Sequence, residues 1–165
     1  MASTITASTL KVTIREDIKL NGVNQGGVNT LSIGSITNAV KRIVNIGTDE
    51  IGLLGFGTAY NTELSKTYLA GQFDEDTVRY IRITNLDDTN HIALILKNEN
   101  NDEFGVKVDK GCSFIYGVDL AEGVVDTMDS AVAAGITPDS FGDLVDIACA
   151  ANTAACDVEV FVASI

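Results

Sequence analysis

The sequence predicts an all-β protein, an antiparallel β-sandwich of jelly-roll-like character with long loops and an N-terminal arm. Three observations carry that expectation. Between Val78 and Val118, four segments rich in Val, Ile, Phe and Tyr are punctuated by clusters of Asn, Asp and Gly, the pattern of short strands and turns. Apolar and polar side chains alternate again from Leu10 to Glu16 and through the C-terminal segment Cys156 to Ala163, as in strands with one buried face. No stretch supports a long helix.

Taken in order, residues 1–9 form a Ser/Thr/Ala-rich segment, read as a flexible arm, and residues 10–165 form a single sandwich domain. Leu10, Val12 and Ile14 share one strand face, and Ile18 and Leu20 continue the same parity. Residues 21–29 (NGVNQGGVN) read as a turn-rich loop in which the Gly26-Gly27 pair permits positive φ. Alternation resumes through Leu31, Ile33 and Ser35. The segment from Ile36 to Ile46 fits either a helix face or a strand; its β-branched residues and the following Gly47 favour a strand.

Residues 51–57 (IGLLGFG) read as a buried strand, because glycines within a strand mark a bulge or a close backbone approach. The reversed glycine spacing and the lack of a βαβ pattern argue against a nucleotide loop. Residues 58–77 form a long polar loop. Two successive hairpins follow, divided by turns at residues 85–90, 98–102 and 109–111. A connection over residues 119–140 has room for one helical turn near residues 131–135, and a final hairpin closes the chain. The candidate core comprises Ile81, Ile83, Leu94, Leu96, Val106, Val108, Phe114, Tyr116, Val158 and Val160.

Composition narrows the function. The 165 residues carry 23 acidic and 11 basic side chains, a formal charge of −12. That balance argues against nucleic acid, whose usual partner surface is basic. No apolar run approaches the roughly 18–20 residues needed to span a bilayer, and residues 1–9 lack the features of a secretory signal. Cys112, Cys149 and Cys156 cannot all pair within one chain, and their spacing fits no common zinc pattern. They are expected to be buried free thiols in a protein made in a reducing compartment.

The residues that could carry chemistry are few. His91 is the sole imidazole and stands at a predicted strand edge without a recognisable partner. The acidic clusters Asp74-Glu75-Asp76 and Asp87-Asp88, with Asp126, Asp129, Asp139, Asp143 and Asp146, fall mostly in predicted turns, where Asp caps nearby N–H groups. Asn98, Asn100, Asp102 and their neighbours offer oxygen ligands suited to calcium, but lack the Gly and the distal Glu of an EF-hand. A hairpin turn has the same composition for conformational reasons. No catalytic, cofactor or metal site is assigned, and an enzyme is the least favoured class.

The stretch from Tyr80 to Tyr116 resembles small β-sandwich accessory proteins of tailed-bacteriophage virions. The resemblance rests on Arg82-Ile83-Thr84-Asn85 followed by a short loop and an apolar strand, and on Gly111-Cys112-Ser113-Phe114 after a turn. Residues 157–163 are more weakly similar. The resemblance implies a non-enzymatic virion component made in the host cytoplasm: a capsid cement or decoration subunit, or alternatively a tail or fibre component. It further implies contacts with the major capsid protein or other virion proteins, a homo-oligomer with a trimer favoured, and no cofactor. Residues 3–9 and 21–29 are the expected contacts. A glycan- or calcium-binding module is a further reading, weakened by the absence of Trp and the presence of only four Tyr.

Overall fold

A computed structural model describes residues 5–57, 68–117, 123, 124, 128 and 141–165. Among these residues the strands are β1 (Ser8–Arg15), β2 (Lys19–Leu20), β3 (Val23–Asn24), β4 (Val28–Ile36), β5 (Asn38–Ile46), β6 (Ile51–Phe56) and β7 (Gly71–Phe73). They continue with β8 (Val78–Asn85), β9 (Ile92–Asn98), β10 (Glu103–Val108), β11 (Ser113–Gly117), β12 (Leu144–Ala151) and β13 (Cys156–Ser164). No described residue is helical.

Two sheets make a sandwich. One has the order β10-β9-β12-β6-β7, the other β11-β8-β13-β5. All neighbours are antiparallel except β6 and β7. Period-2 alternation places Ile92, Leu94 and Leu96 of β9 opposite Ile81 and Ile83 of β8 and Val158, Val160 and Val162 of β13, in one continuous core. Of the ten core residues expected from sequence, seven are buried, while Val106, Phe114 and Tyr116 pack partly buried against them.

The segment from Ile36 to Ile46 is extended, as its β-branched content favours: β4 ends at Ile36 and β5 begins at Asn38. Between them the Thr37 N–H donates to the Ser164 carbonyl at 3.0 Å. The glycine-broken segment is also a buried strand. Ile147 pairs with Leu54 but Ala148 with Gly52, so Leu53 is an extra residue in β6. That bulge is why adjacent Leu53 and Leu54 can both be buried. Gly55 marks a close approach, because a β-carbon there would meet the Tyr68 ring at 2.5 Å.

Three expectations are corrected. Residues 78–117 are not two successive hairpins: only β9 and β10 form one, and β8 pairs instead with β11. Residues 86–91 and 109–112 are arches that cross between the sheets. The last two strands likewise part, β12 to the five-stranded sheet and β13 to the interior of the four-stranded one. The physical reason is common to all three. Asn, Asp and Gly report that the chain reverses, not whether it returns beside itself or across a core about 10 Å thick. Of the long loop expected over residues 58–77, residues 58–67 lie outside the described residues, as does the helical turn near 131–135. The rest of that loop is also corrected, by β7, which pairs parallel to β6 at the edge of the five-stranded sheet.

Asn85 ties the two arches together. Its side chain is buried, and Nδ2 donates to the carbonyls of Asn90 (2.9 Å) and Val108 (3.3 Å), while Oδ1 accepts from the Asp87 N–H (3.1 Å). Its backbone N–H reaches the Cys112 carbonyl and its own carbonyl accepts from Gly111.

Candidate functional site: a β-hairpin arm

Strands β1 to β4 stand apart from the sandwich as a long two-stranded hairpin. β1 pairs with β4 from Leu10↔Ile33 to Arg15↔Val28, and the smaller β2/β3 ladder continues toward the tip. Asn21 and Gly22 both take positive φ, 51° and 82°, the backbone an Asn-Gly two-residue turn requires. Positive φ therefore falls at Asn21-Gly22 and not at Gly26-Gly27, correcting the sequence expectation. Gly26 is needed for a different reason: a β-carbon there would sit 2.0 Å from the Glu16 carbonyl oxygen.

Directly paired residues of an antiparallel ladder point to the same side. One face of the hairpin thus carries Leu10 with Ile33, Val12 with Leu31, and Ile14 with Asn29. The other carries Lys11 with Ser32, Thr13 with Thr30, and Arg15 with Val28. The apolar face sits at its root on the outer side of the four-stranded sheet. There Ile33 and Ile36 are buried against Tyr80 and Ala163, with Leu10, Val12 and Phe161 packed around them. Tyr80 and Phe161 meet edge to face, centroids 6.0 Å apart. Leu31 reaches β11, where a β-carbon on Gly117 would lie 3.3 Å from its methyl group.

Past that point the support ends while the apolar pattern goes on. On this face Ile33 is 1% exposed, Leu31 45% and Ile14 44%; toward the tip Ile18, Leu20 and Val23 are exposed as well, as are Ile5 and, on the opposite face, Val28. Residues 5–36 carry Lys11, Arg15 and Lys19 against Glu16 and Asp17, a net +1, so the rest of the chain holds −13. The hairpin is thus the apolar, nearly neutral part of an acidic protein. Of the expected contact residues, Ser8 and Thr9 belong to β1, residues 21–29 form the exposed end of the hairpin, and residues 1–4 lie outside the described residues. Sequence alternation registered the apolar face but implied that it was covered. The signal that could have exposed the hairpin is Asn21-Gly22 between two alternating segments.

The other sequence candidates serve the scaffold. The His91 N–H donates to Asn152 Oδ1 at 3.2 Å, and the Asn152 N–H to the His91 carbonyl at 3.1 Å, pinning the start of β9. Asp87 accepts the N–H groups of Asn90 and Thr89, which hold its carboxyl below the usual carboxylate range. Asp109 is held down chiefly by the Lys110 N–H. Asp146 is buried, and Tyr68 near it has its hydroxyl pushed up to about 12, first by burial and then by the Asp146 charge. Asn98 is also buried: Oδ1 accepts from Asn100 and Asp102 N–H, and Nδ2 donates to Asp102 and to the Met128 carbonyl. Its polar groups organise the β9–β10 turn. No group of three or more His, Cys, Asp or Glu among the described residues could hold a metal ion. Asp126, Asp129 and Asp139 lie outside the described residues.

All three cysteines are free, but only Cys149 and Cys156 are buried; Cys112 is exposed, which corrects the expectation of three buried thiols. Cys112 lies where the 109–112 arch delivers the chain to an edge strand, a position its neighbours do not reveal. Burial pushes the Cys149 thiol up to about 12, so its reactive thiolate is suppressed. One thiol per chain is therefore expected to react with a disulfide reagent in the native protein and three in denaturant; three fast thiols under native conditions would contradict this burial.

The part of the four-stranded sheet's outer face not covered by the hairpin carries a polar network. Glu159 receives Lys41 Nζ at 2.8 Å and Arg82 Nη2 at 2.6 Å, and Thr84 Oγ1 lies 2.8 Å from Ser113 Oγ. The hydrogen bond from Lys41 and then that from Arg82 hold the Glu159 carboxyl below its ordinary value. A lowered folded pKa stabilises above the unfolded carboxylate value and is lost as pH falls through the folded one. Glu159→Gln is expected to cost about 1 kcal/mol at pH 7. The gap to wild type should close below about pH 3; urea titrations at both pH values check this, and a gap that persists in acid would exclude a charge effect.

No family model matches the chain, and no curated protein or solved structure matches it.

Proposed function

We propose that this chain is a non-enzymatic structural subunit that uses its β-hairpin arm to join an assembly. The observation that carries the reading is the apolar face of β1 and β4, seated at Ile33 and left uncovered from Leu31 outward. Side chains such as Ile14 and Leu31 gain about 25 cal/mol per Å2 of apolar surface removed from water. An assembly that covers them is stabilised in proportion. The rigid sandwich supplies a mount, and its acidity discourages association elsewhere.

The resemblance of residues 80–116 narrows the assembly to a tailed-bacteriophage virion, and within it to a capsid cement or decoration subunit that bridges capsomers. Binding to the assembled shell but not to its dissociated subunits would stabilise the shell by mass action. The test is co-sedimentation with purified shells and, separately, with purified tails, comparing wild type with a chain lacking residues 8–36. Binding to shells that disappears with the hairpin is expected. Binding to tails alone would move the subunit there, and no binding to either, with turnover in a hydrolase screen, would overturn the reading.

A further inference from the structure

We propose that the hairpin's partner includes a second copy of this chain, joined edge to edge along β4 into a four-stranded sheet of order β1-β4-β4-β1. This deepens the tethering reading and rests on it. Among the described residues β4 pairs only with β1, leaving its other edge open. Exposed edges are ordinarily guarded by charge, proline or a covering element. Residues 28–36 (VNTLSIGSI) contain no charged side chain and no proline, and Val28, Asn29, Thr30, Leu31 and Ser32 are all exposed. This is an unguarded strand end, five residues long, on a two-stranded ribbon, and such ribbons are marginal in water until further strands are added.

Charge leaves this edge as the place where a second copy can dock without repulsion. Two chains of −12 repel wherever their acidic bodies meet, but the hairpin carries only +1 and the edge itself none. An antiparallel β4–β4 pair about a two-fold axis near Thr30 brings the uncharged edges together. It leaves the two bodies at opposite ends, each beyond Ile33. Like charges directly opposite one another would oppose such pairing, and none occur along this edge.

The ladder also states which groups would do the bonding. The Glu16 N–H donates to the Gly27 carbonyl at 2.9 Å, in the same register as Ile14↔Asn29 and Val12↔Leu31. In an antiparallel ladder these alternate pairs exchange their N–H and C=O groups. Asn29 and Leu31 therefore bond inward to β1, while Val28, Thr30 and Ser32 present theirs to the open edge.

Thr30→Pro accordingly removes an outward N–H without taking one from the hairpin. Sedimentation equilibrium should give twice the 17.4 kDa chain mass for wild type. Thr30→Pro should weaken the dimer about 100-fold, since its two copies each lose a bond, and Thr30→Ala should retain it. As a measurement that does not depend on the proline, single cysteines at positions 28, 30 and 32 in a Cys112→Ser background should include one that oxidises to a covalent dimer. Wild type that stays monomeric, a mass of three chains, or a dimer indifferent to Thr30→Pro would each overturn the inference. The two readings fail separately. A monomer that still loses shell binding when residues 8–36 are removed overturns the β4 dimer and leaves the tethering reading standing. A dimer abolished by Thr30→Pro, with no shell or tail bound, supports the dimer and counts against the virion assignment.

Discussion

Asn85→Ala is expected to lower stability by about 3 kcal/mol, because the buried Val108 carbonyl and the half-buried Asn90 carbonyl lose their donor and the half-buried Asp87 N–H loses its acceptor. At this chain length that corresponds to a fall in Tm of about 6–12 °C. The carbonyl of Asn90 lies in the 86–91 arch and that of Val108 ends β10, just before the 109–112 arch, and the Asn85 amide reaches both. Loss of the side chain therefore removes the link from the 86–91 arch to the end of β10, leaving the Asn85 backbone bonds to Cys112 and Gly111 to hold the 109–112 arch at that end of the sandwich. Asn85→Asp should be at least as damaging at pH 7, since a carboxylate would face two carbonyl oxygens in place of an amide N–H, and burial of an unpaired charge is costly. A thermal melt showing less than about a 2 °C loss for Asn85→Ala would mean that water substitutes for the amide, and that the arches hold without it.

Asn85 also explains where sequence reading stopped. Strand positions and facing were legible, because alternation at period 2 is a local property: Ile81 and Ile83, Leu94 and Leu96, and Val158 and Val160 all turn inward as their spacing requires. Pairing was not. β8 meets β11 across a separation that includes two whole strands, and the residue that fixes this arrangement is an Asn in a stretch already rich in Asn and Asp. Nothing in the composition of residues 85–90 distinguishes an asparagine buried as an arch hub from one exposed in a hairpin turn. The hairpin arm was half legible for a related reason. The parity of Leu10, Val12, Ile14, Ile18 and Leu20 announces an apolar face, but the extent of its support depends on the width of the sheet beneath it. That width ends at β11, near Gly117. Coverage is a property of the assembled fold, and no local pattern encodes it.

Ile33→Ala is expected to loosen the arm while sparing the sandwich. Ile33 is 1% exposed in the small cluster with Ile36, Tyr80 and Ala163, on the opposite side of the four-stranded sheet from the main core. Truncating a buried isoleucine costs about 2–5 kcal/mol. Here that cost falls on the docking of β1 and β4, which hold few other buried contacts with the body. Segments with low local stability open on their own. Amide exchange in β1 and β4 should therefore accelerate by about 10²-fold or more, with the amides of β8, β9 and β13 little changed. Ile83→Ala, within the main core, should instead lower protection everywhere, in step with a fall in Tm. If Ile33→Ala also reduces protection throughout, the hairpin and sandwich form one cooperative unit and the arm is not an independent element. The separation has a functional consequence. An arm held at its root by one small cluster can adjust its outer strands to a partner without disturbing the core. The cost of ordering it is then met when β4 gains its missing neighbour, so partner binding and arm stability should rise and fall together.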